Sequence, residues 1–250
     1  MSAPRKPLVI ACIPAFNEES TIGAVVRGAL KHVDMVIVCD DGSTDLTVRR
    51  ALEAGAYVVR HTRNMGYGAA LRTLFEVARR VDPDAMVILD ADGQHDPNDI
   101  PVIIRPVLSG EADIVVGSRM AGEGVPVQRW VGVRVITLIV RVSAYPGLRD
   151  AQSGFRAYSR RAIRAITITE PGMGASTEIL LKAACEGLKL KEIPIRVRYK
   201  GITHRISPWL HGLSVLFVTL KHVVRRYFVF VWNVFKALIK GLVKRLRPST

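Results

Sequence analysis

Val87-Ile88-Leu89-Asp90-Ala91-Asp92-Gly93-Gln94-His95 is an apolar run that stops abruptly at two carboxylates one residue apart, followed by an amide and an imidazole. Met86 to Leu89 reads as a buried strand of a parallel sheet, and Asp90 to His95 as the loop leaving its carboxyl end. In open α/β sheets that edge is where ligands bind. Asp90 and Asp92, at i and i+2, point the same way in an extended backbone. Two hard oxygen ligands with an amide oxygen nearby suit Mg²⁺ or Mn²⁺, an ion that completes its shell with substrate phosphates. The alternative is a polar turn whose acids are solvated.

The same pattern recurs on both sides of this stretch. Leu8 to Ile13 predicts a first strand followed by Pro14-Ala15-Phe16-Asn17-Glu18-Glu19, and Ser20 or Thr21 can cap a helix running to about Lys31. Met35 to Cys39 predicts a second strand ending in Asp40-Asp41-Gly42-Ser43-Thr44-Asp45, where Gly42 permits a tight turn and Asp45 can cap the next helix. A short third strand is expected over Ala56 to Arg60. Asn64-Met65-Gly66-Tyr67-Gly68 then opens a helix to about Val81, its glycines allowing a ligand to approach the backbone closely. Asp113 to Gly117 predicts a fifth strand ending in Ser118-Arg119. Strands alternating with helices mean βαβ units and a parallel sheet. Any one polar cluster is a good helix start. Together, Pro14 to Glu18, Asp40-Asp41, Asp90 to Gln94 and Arg119 converge on one sheet edge and favour a nucleotide site.

No Gly-x-Gly-x-x-Gly follows the first strand, no Gly-x-x-x-x-Gly-Lys-Ser/Thr occurs, and no Gly-x-Ser-x-Gly elbow is present. A Rossmann dinucleotide site, a P-loop NTPase and an α/β-hydrolase are therefore not expected. Cys12, Cys39 and Cys185 have no metal-type spacing; the first two sit in apolar runs and read as core thiols in a reducing compartment. The N-terminus leads almost directly into the first strand, so no signal peptide is expected.

The chain has 250 residues, is 49% hydrophobic and carries a net charge of +14. From Arg196 onward there are twelve Lys/Arg and no Asp or Glu, so a nearly neutral body carries a basic, apolar tail. Lys221, Arg225 and Arg226 interrupt that tail, and no uncharged run in it reaches the ~18 residues of a spanning helix. Lys236, Lys240 and Lys244 share one helical face, with Phe235, Leu238, Ile239, Leu242 and Val243 opposite. That pattern predicts an interfacial amphipathic helix on anionic lipid, or else a helix packed on the domain that precedes it or on a second copy of the chain. Over Gly122 to Val142, Arg129, Arg134 and Arg141 punctuate an apolar surface, as in a segment resting on the membrane or in a buried core helix. A nucleic-acid-binding tail is disfavoured by Phe217, Phe228, Phe230, Trp232 and Phe235 among so many aliphatics.

Pro14-Ala15-Phe16-Asn17-Glu18, Asp40-Asp41-Gly42-Ser43-Thr44-Asp45, Asn64-Met65-Gly66-Tyr67-Gly68-Ala69-Ala70 and Asp90-Ala91-Asp92-Gly93-Gln94-His95 resemble the ordered motifs of family 2 glycosyltransferases, most closely the dolichyl-phosphate mannose synthase type. Gly117-Ser118-Arg119, Asp150-Ala151-Gln152-Ser153-Gly154-Phe155-Arg156 and Thr177-Glu178-Ile179 agree, and the resemblance spans roughly residues 8 to 205. Leu74 departs from it, standing where many such proteins carry glycine. The resemblance implies an α/β GT-A catalytic domain over residues 1–205, followed by basic amphipathic helices over 206–250. It implies a nucleotide site of Pro14, Ala15, Phe16, Glu18, Asp40, Asp41, Asn64, Gly68, Asp90 and Ala91. Asp90, Asp92 and Gln94 would hold Mn²⁺ or Mg²⁺ and the diphosphate, with Asp92 and Arg119 catalytic.

The chemistry implied is inverting transfer of a hexose, mannose from GDP-mannose foremost, to dolichyl or polyprenyl phosphate. UDP-glucose as donor, or a lipid or glycan hydroxyl as acceptor, are the alternatives. A hydroxyl acceptor would need a base, for which Glu178 is the nominee. A phosphate acceptor needs cations instead, for which Arg119, Arg129, Arg134, Arg156 and Arg205 are the supply. Glu178 then has a structural or sugar-binding role, the first being that of a carboxylate in a helix's first turn. The expected setting is peripheral, monotopic attachment to the cytoplasmic face of the cell membrane, with homo-oligomerisation left open.

Overall fold

The computed structural model describes residues 5–119, 127–195 and 197, and 216, 217, 219–221, 223 and 224 near the C-terminus, with side chains left aside between 127 and 133. The strands are β1 (Val9–Ala15), β2 (Met35–Asp40), β3 (Tyr57–Arg60), β4 (Ala85–Ile88), β5 (Ile114–Arg119), β6 (Arg156–Ser159) and β7 (Leu190–Ile195). The helices are α1 (Ile22–Ala29), α2 (Thr47–Glu53), α3 (Tyr67–Val81), α4 (Ile100–Leu108), α5 (Val127–Ser143), α6 (Arg160–Ala165) and α7 (Ala175–Cys185). The sheet order is β3-β2-β1-β4-β6-β5-β7.

The five expected strands are present and parallel to one another. β6 is not among them: it enters between β4 and β5 antiparallel to both, so the sheet is mixed rather than parallel. β7, also unexpected, runs parallel along β5 from Ile114↔Leu190 to Arg119↔Ile195. Arg156-Ala157-Tyr158-Ser159 is too short and too polar at its ends to show a strand period in the sequence. Its alternation emerges only from packing, Ala157 facing one core and Tyr158 the other.

Two cores lie on opposite faces of the sheet, which explains why the strands read as continuous apolar runs. On one face, Ala11 and Ile13 of β1 and Val87 pack with Val25 and Val26 of α1 and Ile103 of α4. On the other, Ile10, Cys12, Met86 and Ile88 pack with Leu74 and Phe75 of α3 and Ile179 and Leu180 of α7. Leu74, the departure noted in the sequence, is fully buried there. Cys12 and Cys39 are core thiols, and burial pushes the Cys39 thiol up to about 12. Asp45 accepts from the Thr47 amide at 3.0 Å just ahead of α2, but the cap position itself falls on Leu46, which makes no side-chain cap bond. Gly42 adopts φ +77° in the turn after β2.

Gly68 corrects an expectation. It meets protein rather than ligand: a Cβ there would sit 2.0 Å from the Glu170 carbonyl oxygen and 2.7 Å from that of Gly172. The glycine lets α3 start directly against the 170–172 backbone. Among the described residues no helix is long and apolar enough to cross a membrane.

Gly68→Ala is expected to destabilise the fold by about 1–3 kcal/mol, the usual range for overpacking. A Cβ on Gly172 would meet open space, so Gly172→Ala should stay within about 0.5 kcal/mol of wild type. Thermal melts of the two variants side by side check this; equal Tm values would remove the packing role of Gly68.

Candidate active site

A cleft of about 630 Å³ opens at the carboxyl ends of β1, β2, β4 and β5. Pro14, Ala15, Phe16 and Glu18 line it from β1, Asp41 from β2, and Asn64 from the turn before α3. Asp90, Ala91, Asp92 and Gln94 line it from the loop after β4, and Arg119 from the end of β5. The four polar clusters that the sequence sets on one edge therefore meet in one cavity.

Each carboxylate is held locally. Asp41 is 4% exposed; its Oδ1 accepts from the Met65 amide at 2.9 Å and from His61 Nδ1 at 2.7 Å, and its Oδ2 accepts from the Gly66 amide at 2.8 Å. Asp90 accepts from the Tyr67 hydroxyl at 3.4 Å, and its amide donates to His95 Nδ1 at 3.5 Å. Burial lowers the His95 pKa to about 4, so the ring is neutral near pH 7. That ring stacks on Phe155 with centroids 5.2 Å apart. Asp92 accepts from the Gln94 amide at 3.0 Å and from the Gln94 side chain.

Among the described residues no three His, Cys, Asp or Glu side chains form a metal cage by themselves. A pair of acids beside an open cleft, with an amide alongside, fits a Mg²⁺-like ion that keeps waters and shares substrate phosphates. The donor set therefore suits a hard divalent cation bound together with an anionic ligand.

Arg119 is clamped side-on. Its Nε donates to Asp150 Oδ2 at 2.6 Å and its Nη2 to Asp150 Oδ1 at 2.8 Å. Burial alone would raise the Asp150 pKa, but the Arg119 guanidinium and the amides of Gln152 and Arg119 hold it below the usual carboxylate range. Glu192 on β7 fixes this pair from behind, accepting from the amides of Arg149 and Asp150. Asp150 stands in a motif that gives it no role of its own, because its partner lies 31 residues away.

Several candidates named from the sequence stand elsewhere. Asp40 is fully buried, accepts from the Ser43 amide and pairs with Arg60 Nε at 3.1 Å, so Asp41 is the member of the pair at the cleft. Arg156 is corrected as an acceptor cation: at 2% exposure it donates to the carbonyls of Ser176 and Ala151 beneath the cleft floor. Among the described residues its buried Nε has no hydrogen-bond partner. Arg134 is exposed on α5 and does not line the cleft. Arg205 and the Arg129 side chain lie outside the described residues.

Glu178 is fully buried and ties down the 169–170 turn. It accepts from the amides of Thr169 at 3.0 Å and Glu170 at 2.9 Å and pairs with Lys182 at 2.7 Å. Burial would raise its pKa; the bonds from Lys182 and Thr169 outweigh that and lower it. It serves the turn that carries Gly172 and Met173 into the cleft, alongside Ser176. These three, with Tyr67, Gln152 and Gly154, are lining residues that motif reading does not assign. Only contact across the fold brings them in. A second cavity of about 590 Å³, bordered by Ser118, Arg149 and Glu192, contains none of the candidate residues.

The comparisons agree with this geometry. Residues 10–167 match the sequence profile described as Glycosyl transferase family 2. The undecaprenyl-phosphate mannosyltransferase of Micrococcus luteus is 32% identical over 84% of this chain and 92% of its own length. The UDP-N-acetylglucosamine–dolichyl-phosphate N-acetylglucosaminyltransferase of Methanococcus voltae is 31% identical over 77% of this chain and 86% of its own. The dolichol-phosphate mannosyltransferase of Pyrococcus furiosus is 30% identical over 87% of this chain and 63% of its own. Glucosyl-3-phosphoglycerate synthase of Mycobacterium tuberculosis, solved with Mg²⁺ and UDP, superposes with a TM-score of 0.70 at 25% identity, covering 87% of this chain and 79% of that one. With strand-end motifs meeting in one cleft and the family profile spanning more than half of the sequence, this chain is a GT-A-fold enzyme belonging to glycosyltransferase family 2.

Proposed function

We propose that the enzyme transfers a hexose from a nucleotide diphosphate sugar to a polyprenyl phosphate, with mannose from GDP-mannose as the first-choice donor. The observation that carries the reading is the single cleft joining Asp41, the Asp90/Asp92 pair and the Asp150-held Arg119. Three relatives whose names specify a dolichyl or undecaprenyl phosphate acceptor support the lipid phosphate, and two of the three are mannosyltransferases. A uridine donor is the second reading, favoured by the UDP-sugar relative and by the UDP-bound structure.

In this reading Asp41 and the Pro14–Phe16 wall receive the nucleoside, and Asp90, Asp92 and Gln94 face its diphosphate. A divalent cation bound there supplies positive charge to the leaving nucleoside diphosphate as the glycosidic bond breaks. Arg119 faces the same ligand as a cation whose orientation Asp150 has already set, so little reorganisation is needed as charge develops. A phosphate monoester acceptor is anionic near pH 7 and attacks the anomeric carbon in one inverting displacement without a base. That agrees with Glu178 being committed to the Thr169–Glu170 turn. Val135, Leu138 and Val142 on α5 are 44%, 58% and 76% exposed, an apolar row suited to the membrane that presents such a lipid.

Asp92→Ala is expected to lower kcat at least ~100-fold, the scale of removing a charge-stabilising group, with an unchanged Tm. Full turnover by this variant would end the metal and diphosphate assignment. A panel of labelled nucleotide sugars offered with a short polyprenyl phosphate should give lipid-linked mannose from GDP-mannose with Mn²⁺ or Mg²⁺ and none with EDTA. Transfer from a UDP-sugar instead selects the second reading, and donor hydrolysis without lipid product rejects the phosphate acceptor. In flotation with anionic vesicles, Lys236→Glu/Lys240→Glu/Lys244→Glu should reduce recovery in the lipid fraction relative to wild type. Unchanged recovery would move the attachment elsewhere in the chain.

A further inference from the structure

His61 stands in the turn after β3, outside every motif that the resemblance assigns, yet it contacts the nucleoside end of the cleft through one atom. Its Nδ1 lies 2.7 Å from Asp41 Oδ1, and both side chains are nearly buried, at 10% and 5% exposure. A carboxylate can only accept here, so Nδ1 carries the proton. On the far side of the ring, Nε2 lies 2.9 Å from the Thr73 hydroxyl of α3 and 3.6 Å from Cys39 Sγ of β2. The His61 amide donates to the Asp40 carbonyl at 2.9 Å, which fixes the backbone as well. β2, the turn after β3 and α3 thus hold one imidazole, and the imidazole holds one carboxylate.

The acceptor count of Asp41 shows what this does. A carboxylate has about four acceptor positions. Met65 N and His61 Nδ1 occupy those on Oδ1, and Gly66 N occupies one on Oδ2. Among the described residues no further donor reaches Oδ2, which leaves one position there for a ligand in the cleft. A uracil or guanine ring presents a ring N–H on its pairing edge, and a fixed anionic acceptor matches that group. Without the His61 bond the two backbone amides of Met65 and Gly66 alone would hold the carboxylate, which would lose its one side-chain donor and with it part of the constraint on the direction of the remaining lone pair.

We infer that His61 is a positioning residue for the donor: it orients Asp41 so that a single carboxylate lone pair receives the ring N–H of the nucleobase. This rests on the nucleotide-sugar reading above. It concerns binding of the base, so its effect falls on donor affinity and leaves the bond-breaking step alone.

The test compares wild type, His61→Ala and His61→Asn, the last restoring a donor near the Nδ1 position. Calorimetry with Mn²⁺ measures Kd for UDP, GDP and inorganic pyrophosphate, and steady-state assays separate KM from kcat. His61→Ala should weaken the preferred nucleoside diphosphate about tenfold, the factor for one lost hydrogen bond to a charged group. Pyrophosphate should bind as before, donor KM should rise with kcat nearly constant, and His61→Asn should recover most of the loss. An unchanged nucleoside diphosphate Kd in His61→Ala overturns the inference while leaving the donor reading intact. Equal weakening of pyrophosphate also overturns it, reducing His61 to a scaffold residue. Wild type that binds neither UDP nor GDP overturns both.

Discussion

A sheet covered on both faces has one place for carboxylates, its strand ends. β1, β2, β4 and β5 lie between two apolar cores, and a charged group in mid-strand would lose its hydration without repayment. The parallel strands share a direction, so their polar ends gather along a single edge. The cleft is therefore a consequence of burial: the same rule that makes Met86 to Leu89 apolar places Asp90 and Asp92 where solvent and ligand can reach them.

Gathering acids at one edge raises a second problem, because Asp41, Asp90 and Asp92 are like charges in one cavity. The fold answers with donors of its own. Asp41 takes two backbone amides and an imidazole, Asp92 takes the Gln94 amide and side chain, and Asp90 takes the Tyr67 hydroxyl. Opposite them, Arg119 is turned by Asp150, and the segment carrying Asp150 is pinned by Glu192 on the outermost strand. Such a site is built before any ligand arrives, which is the condition under which fixed charges help most.

Five strands and the location of the cleft are legible in the sequence because each rests on a local pattern: an apolar run followed by polar residues. What is not legible depends on partners far along the chain. β6 pairs with β4 from a distant part of the sequence and shows no period of its own. Arg156, in a motif full of polar residues, reads as a cation for the acceptor phosphate, yet it bonds the carbonyls of Ala151 and Ser176 inside the protein. Gly68 looks like a ligand-approach glycine until the 170–172 backbone is seen against it. Glu178 could be a base or a tether from its position in a helix's first turn; only the Thr169–Glu170 amides decide for the tether.

The adjacent pair Asp40 and Asp41 shows how finely this division cuts. Asp40 is the last residue of β2, paired in register with Ala15 on one side and Arg60 on the other. Consecutive residues at a strand end point to opposite sides, so only one of the two acids can face the cleft. Arg60 claims Asp40, with Nε at 3.1 Å, and the turn after β2 closes over it through the Ser43 amide. Asp41, one step on, has its amide bound to the Ala15 carbonyl at 2.8 Å and its side chain delivered to His61 and the 65–66 amides. The register of a four-residue edge strand thus decides which of two identical residues belongs to the cleft and which belongs to the scaffold. Composition and spacing carry no trace of that choice.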